Sequence, residues 1–307
     1  MDTSACTICP RRCAVDRAQS HGVCGEGDTV RLARAALHFW EEPPISGEAG
    51  SGTVFFTGCP LRCVYCQNKS IARGEVGREV SIERLARIFL EQQERGALNI
   101  NLVTPTHFMP QIKDALDLAR SRDFSRTPLS LPIVYNTSGY ELPEAIAELD
   151  GYVDVFLTDF KYASPELAQR YSAAPNYPET ASAALDAMFA IVGSCAYDTS
   201  ERGEERLAHG IIVRHLLLPG QLDDSKRVME LLAGKPYRDD IIVSIMNQFT
   251  PATDIVEDYP ELSRTVSDEE YDELIDYALD LGIVNSFMQE GGAASESFIP
   301  AFDYEGI

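Results

Sequence analysis

Three cysteines, Cys59, Cys63 and Cys66, lie close together in the stretch GCPLRCVYCQN at 58–68. Their spacing, C-x3-C-x2-C, puts three thiolates on one loop. A structural zinc ion wants four closing ligands. A cubane 4Fe–4S cluster held by three thiolates leaves one iron without a protein ligand, and that iron can take a small chelating molecule. The rival readings are a zinc knuckle lacking one ligand and buried structural thiols.

A second group lies upstream in CTICPRRCAVDRAQSHGVC: Cys6, Cys9, Cys13 and Cys24, spaced C-x2-C-x3-C-x10-C. Four thiols close a site with no open position. Zinc and an auxiliary iron–sulfur cluster are both chemically suited to it; the alternative is unliganded thiols in a tail. Too few apolar residues surround these cysteines for the segment to fold on hydrophobic burial alone, so a metal-stapled lobe is expected. Cys195 stands apart and reads as a free thiol.

Other candidates are polar side chains at the ends of apolar runs: Thr104, Thr106 and His107 in TPTH, Thr137 in NTSGY, Asp159 and Lys161 in TDFK, and Arg214 in IIVRHLLLPG. Asp159 and Lys161 alternate along a strand end and so point to one side. Arg214 shares a face with Ile212 and Leu216, and a lone guanidinium among apolar neighbours needs an anionic partner.

The elements that must position these residues alternate. Strands are expected at 52–58, 99–105, 132–138, 153–161, 210–220 and 240–249. Helices are expected at 81–97, 109–122, 142–149, within 164–192, at 223–234 and at 267–282. In the first helix Leu85, Ile88, Phe89 and Gln92 fall near one stripe. Ser267 and Glu270 are spaced as a capping box. Six apolar strands, most followed by a helix, argue for an α/β fold with a parallel sheet covered on both faces. The count fits a partial (β/α)6 barrel, whose chemistry gathers at the carboxyl ends of the strands. Residues 1–45 are expected to form the Cys-rich lobe and linker, and 46–307 the barrel with a C-terminal extension.

The chain has 307 residues, with 48 Asp and Glu against 26 Lys and Arg, a net charge of −22. So acidic a surface repels phosphate backbones, and no nucleic-acid partner is expected. No apolar run approaches ~20 residues, so no membrane span is expected. The N-terminus carries cysteines where the apolar stretch of a signal peptide would lie, which points to the cytoplasm and reduced thiols.

The three-cysteine loop, with Tyr65 just before its last thiol, resembles the signature of the radical S-adenosylmethionine superfamily. SGEAGSGTVFFTGCPLRCVYCQN further resembles the opening of the glycyl-radical-enzyme activases, such as the pyruvate formate-lyase activating enzyme, over roughly residues 46 to 250. The likeness is closest to the activating-enzyme-like group, and there it extends from the N-terminal cysteines through ALHFWEEP, NLVTPTH and YNTSGY to IPAFD. The resemblance implies an anaerobic oxidoreductase. Its 4Fe–4S cluster sits on Cys59, Cys63 and Cys66, and S-adenosylmethionine is cleaved to a 5′-deoxyadenosyl radical. It also implies a low-potential electron donor such as flavodoxin or ferredoxin. The radical's target is a glycyl-radical enzyme or, alternatively, a small metabolite or peptide. An iron–sulfur electron carrier that never cleaves S-adenosylmethionine is the third reading.

The resemblance implies cofactor contacts at Tyr65, Asn68, Thr137, Asp159, Lys161 and Arg214. The chain also departs from the family. TPTH stands where a Gly-Gly-Glu type motif usually holds the methionine amine, and Thr104 and Thr106 offer hydroxyls instead. Asn136 replaces an activase Asp, which removes one negative charge. The four extra cysteines precede the cluster loop, whereas activases usually place such cysteines after it.

Overall fold

The computed structural model describes residues 5–251, 255, 257–289 and 299–307; residues 290–298 of the expected C-terminal extension lie outside the described residues. Ten strands form among them: β1 Arg31–His38, β2 Ser51–Phe56, β3 Arg78–Glu79, β4 Ile100–Val103, β5 Ile133–Thr137, β6 Val155–Asp159, β7 Ala196–Thr199, β8 Glu205–Leu216, β9 Ile242–Met246 and β10 Ser286–Met288. The sheet order is β10-β9-β8-β6-β5-β4-β2-β1-β3, with β7 paired to the first half of β8. From β2 through β4, β5, β6, β8 and β9 to β10 all pairings are parallel. The two ends of the sheet do not meet, so the architecture is a partial barrel.

The six expected strands all form, and each is apolar because a parallel sheet buries both faces. In β2 every residue is buried, and in β4, β5 and β9 likewise. The expected helices form outside the sheet. Ser81 caps Ile82–Glu94 by accepting the Arg84 amide, and Leu85, Ile88, Phe89 and Gln92 are buried beneath it. The stretch 164–192 resolves into two helices, Pro165–Ser172 and Tyr177–Val192. Ser267 and Glu270 make the reciprocal capping box of Asp268–Asp280.

Four strands lie outside the expected six: β1, β3, β7 and β10. Residues 31–38, read as the lead into the main body, form β1, antiparallel to β2. Leu, Ala and Arg favour helices on intrinsic propensity, so RLARAALH carries no strand signal of its own. Pairing overrides that preference. The outer edge of β1 also takes bonds from the chain's last residues: the Ala35 amide donates to the Glu305 carbonyl at 2.8 Å, and Arg34 meets Asp303 at 2.7 Å. The edge strand is thereby covered. No helix among the described residues is long and apolar enough to cross a membrane.

Candidate active site

The cysteine loop begins where β2 ends. Gly58 has φ +78°, and a side chain there would lie 2.4 Å from Glu26 Cγ and 2.9 Å from the Cys24 carbonyl oxygen. Only glycine fits that turn. Arg62 is also left-handed, with φ 54°. These turns aim backbone amides at sulfur: Leu61 and Arg62 at Cys59, and Asn68 at Cys66. Ser172 Oγ lies 3.0 Å from Cys63 Sγ as donor. That hydroxyl belongs to a buried chain, 2.9 Å from Tyr162, whose phenol is 2.7 Å from that of Tyr65. The Tyr65 ring packs edge-on against Tyr162, Tyr171 and Phe249.

Burial pushes the Cys59 thiol up to about 11 and the Cys66 thiol up to about 12, and the mutual proximity of the three sulfurs adds to it. Left alone, these groups stay protonated. As thiolates they need a cationic centre, whose binding would release protons. Donor set, amide bonds to sulfur and the glycine turn all fit an iron–sulfur cluster. Among the described residues no three His, Cys, Asp or Glu side chains stand close enough to hold a single metal ion.

The loop faces a cavity of about 270 Å³ at the carboxyl ends of the strands. Its lining includes Cys59, Cys63, Cys66, Tyr65, Asn68, Thr104, Thr137, Asp159, Lys161 and Arg214, so nearly all the candidates converge there. Asp159 and Arg214 are register partners on β6 and β8. Lys161 Nζ meets Asp159 Oδ2 at 2.6 Å, and Arg214 Nε meets Oδ1 at 3.1 Å. Burial alone would raise the Asp159 carboxyl, but the two cations reverse this and hold it below the ordinary carboxylate range. Burial likewise opposes the charge on Lys161, and Asp159 together with nearby Cys63 restores it, raising its pKa.

Thr106 is the exception. It lies outside the lining, and its hydroxyl donates to buried Glu141 at 2.7 Å. Thr137 lines the cavity, but its hydroxyl also donates to Glu141. His107 is buried with Nε2 2.6 Å from the Thr57 carbonyl, and burial pushes its pKa down to about 3. It is neutral and ties strand ends together. Cys195 is partly buried away from the cavity, its thiol 3.5 Å from the Ile211 carbonyl.

Glu41 has no counterpart among the candidates read from the sequence. It follows β1, lines the cavity, meets Arg214 Nη1 at 3.4 Å, and accepts from Asn101 at 3.0 Å and Asn136 at 3.3 Å. Asn136 completes the ring by accepting from Arg214 Nη2 at 2.7 Å. The signal that marks Glu41 is a pair of acids closing an apolar segment, HFWEEPP. It gains meaning only once that segment is known to be a strand beside β2.

Residues 53–232, more than half of the chain, match the radical SAM superfamily. The chain belongs to that superfamily. As a radical SAM protein it is expected to carry a 4Fe–4S cluster and to use S-adenosylmethionine. An uncharacterized protein of Methanocaldococcus jannaschii, MJ0674, is 26% identical over 284 residues, covering 89% of this chain and 74% of the relative. Among solved structures, a domain of pyruvate-formate lyase-activating enzyme from Bacteroides vulgatus is 16% identical with a TM-score of 0.38, covering 59% of this chain and 93% of that one. A spore photoproduct lyase variant is 15% identical with a TM-score of 0.49, covering 84% and 80%.

Proposed function

We propose that this radical SAM protein is an activase-like enzyme that generates a radical on another polypeptide, in the manner of a glycyl-radical-enzyme activase. The carrying observation is that three loop thiols and the Asp159–Lys161–Arg214 group line one cavity at the strand ends. With cluster and S-adenosylmethionine bound, the cofactors would supply reductive cleavage of a sulfonium carbon–sulfur bond and hydrogen-atom abstraction from the substrate.

The chain's own residues would bind and orient. Cys59, Cys63 and Cys66 would hold three irons. Arg214 and Lys161 present cations for the methionine carboxylate. Glu41 presents the carboxylate that the missing Gly-Gly-Glu type motif would otherwise supply for the amine. Thr104, Asn68 and Tyr65 border the same space, with Thr104 held left-handed at φ 57°. The four N-terminal cysteines would hold a second metal, zinc or iron–sulfur.

The resemblance of SGEAGSGTVFFTGCPLRCVYCQN to the opening of the glycyl-radical-enzyme activases supports a protein substrate over the alternative metabolite. A low-potential carrier such as flavodoxin or ferredoxin would supply the electron, in a cytoplasmic setting.

The test is anaerobic reconstitution with dithionite, S-adenosylmethionine and candidate glycyl-radical polypeptides. A persistent protein-based radical signal in the partner, with stoichiometric 5′-deoxyadenosine, is expected. Deuterium from a labelled small metabolite in the product 5′-deoxyadenosine, with no polypeptide radical, would replace this reading by the alternative.

A further inference from the structure

The last residues of the chain return to the cavity. The Ala35 amide donates to the Glu305 carbonyl at 2.8 Å and the Tyr304 amide to the Ala33 carbonyl at 3.2 Å, so the segment lies along β1. Arg34 Nη1 holds the Ala301 carbonyl at 3.0 Å and the Asp303 carboxylate at 2.7 Å, and Arg84 donates to the Gly306 carbonyl at 3.1 Å. Gly306, φ +75°, passes so near β1 that a side chain there would run into the Ala35 carbonyl oxygen. Only glycine allows that approach. The Phe302 ring meets Phe55 edge-on, with centroids 5.5 Å apart, and packs on the buried cluster of Ala33, Phe55, Ile71 and Val103.

Covering the edge of β1 accounts for residues 301–306. It does not account for Ile299 and Pro300, the first two residues of IPAFD. Both are half-buried, and both line the cavity with Phe55, Ile71, Val103 and Trp40. Phe55 and Val103 stand on β2 and β4, and Ile71 on the short helix Lys69–Ala72. Asp159 and Arg214 stand on β6 and β8, and β5 separates the two groups in the sheet. The cavity therefore has a charged side, assigned above to the methionine end of the cofactor, and an apolar side fixed in place by the anchored C-terminal segment.

The chemistry of that wall selects its occupant. Phe55, Ile71, Val103 and Ile299 have no side-chain donor or acceptor, and Pro300 has no amide N–H. A polar group set against them would give up water and gain no partner. An apolar group would gain by burial. We propose that Ile299 and Pro300, with Phe55, Ile71 and Val103, form a substrate subsite for an apolar side chain beside the position from which hydrogen is taken. That this side chain belongs to a polypeptide rests on the activase-like reading; the apolar wall does not.

The experiment uses the full chain, reconstituted anaerobically and supplied with S-adenosylmethionine. The probes are two end-blocked tripeptides, leucine-glycine-leucine and asparagine-glycine-asparagine, with both glycine α-hydrogens replaced by deuterium. Leucine and asparagine are similar in size and uncharged, so the acidic surface treats them alike. Without dithionite there is no turnover, and binding is read from the fluorescence of Trp40, the chain's sole tryptophan, which lines the cavity. The leucine peptide should bind at least about tenfold more tightly to wild type. Ile299→Ser should cut that preference to about threefold or less, and Ile299→Val should keep it. Val284→Ser, at an exposed apolar residue outside the cavity, should leave it as it was. Iron content and S-adenosylmethionine affinity should match wild type in every variant. Equal binding of the two peptides to wild type, or of neither, overturns the subsite. So does an unchanged preference in Ile299→Ser, or a loss of S-adenosylmethionine affinity there, which would give the wall to the cofactor. With dithionite added, deuterium should pass from the leucine peptide's glycine to 5′-deoxyadenosine and leave a glycine-centred radical. Apolar preference in binding without that transfer would remove the activase-like reading and leave the subsite standing. Transfer at equal rates from both peptides would do the reverse.

Discussion

Arg214 and Asp159 face each other from neighbouring strands, as register partners of β8 and β6, with Nε and Oδ1 3.1 Å apart. The same guanidinium reaches Glu41 at 3.4 Å and Asn136 at 2.7 Å. It is thus the hub joining three strand ends with the segment after β1. Truncating one partner of a buried charge pair costs ~2–5 kcal/mol. Arg214→Ala should weaken S-adenosylmethionine binding more than tenfold, measured by equilibrium titration, with iron content unchanged. Unaltered affinity would mean that this Arg serves the fold only.

Glu41 makes a separate prediction. If its carboxylate receives the cofactor amine, Glu41→Gln should reduce affinity by about tenfold, or about 1.4 kcal/mol. Asp303→Asn, at the surface pair with Arg34, should leave affinity as it was. The same titration distinguishes the two, and equal affinities for both variants would remove Glu41 from the site.

Glu141 gives a pH dependence. It is fully buried with Oε2 unpartnered, and burial raises its pKa from 4.5 to about 7 against the bonds from Thr137 and Thr106. A carboxyl whose pKa is raised on folding favours the folded state while it holds its proton. Its contribution is therefore present below about 4.5 and is lost as pH rises to about 7, a change on the order of 3 kcal/mol. The urea midpoint should fall across that interval for this reason, and Glu141→Gln should flatten the fall. An identical pH slope in the variant would show that other groups set it.

Ser172 offers a test of the sulfur environment. Its hydroxyl donates to Cys63 Sγ, and hydrogen bonds to ligand sulfur favour the reduced cluster. Ser172→Ala should lower the radical cluster's midpoint potential in a spectroscopic redox titration without loss of iron. A potential equal to wild type would separate this bond from cluster tuning.

The strands that carry the site were legible because burial on both faces makes each a continuous apolar run, and polar residues at its end stand out. That Cys59, Cys63, Cys66, Asp159, Lys161 and Arg214 lie just beyond or at strand ends was legible in the same way. Thr106 was not, because its outward or inward turn depends on Glu141, 35 residues away. Glu41 was hidden for a related reason. It reaches the cavity only because RLARAALH pairs as a strand against its own propensity. Long-range packing decides each of these, and local pattern is silent about it.

The most direct test is formation of 5′-deoxyadenosine. Reconstituted wild type with dithionite and S-adenosylmethionine should release it together with methionine, and Cys59→Ala, Cys63→Ala or Cys66→Ala should each abolish it while the Cys195→Ala control does not. Full 5′-deoxyadenosine production by any of the three loop variants, or none by wild type carrying its full iron complement, would contradict a radical cluster on this loop.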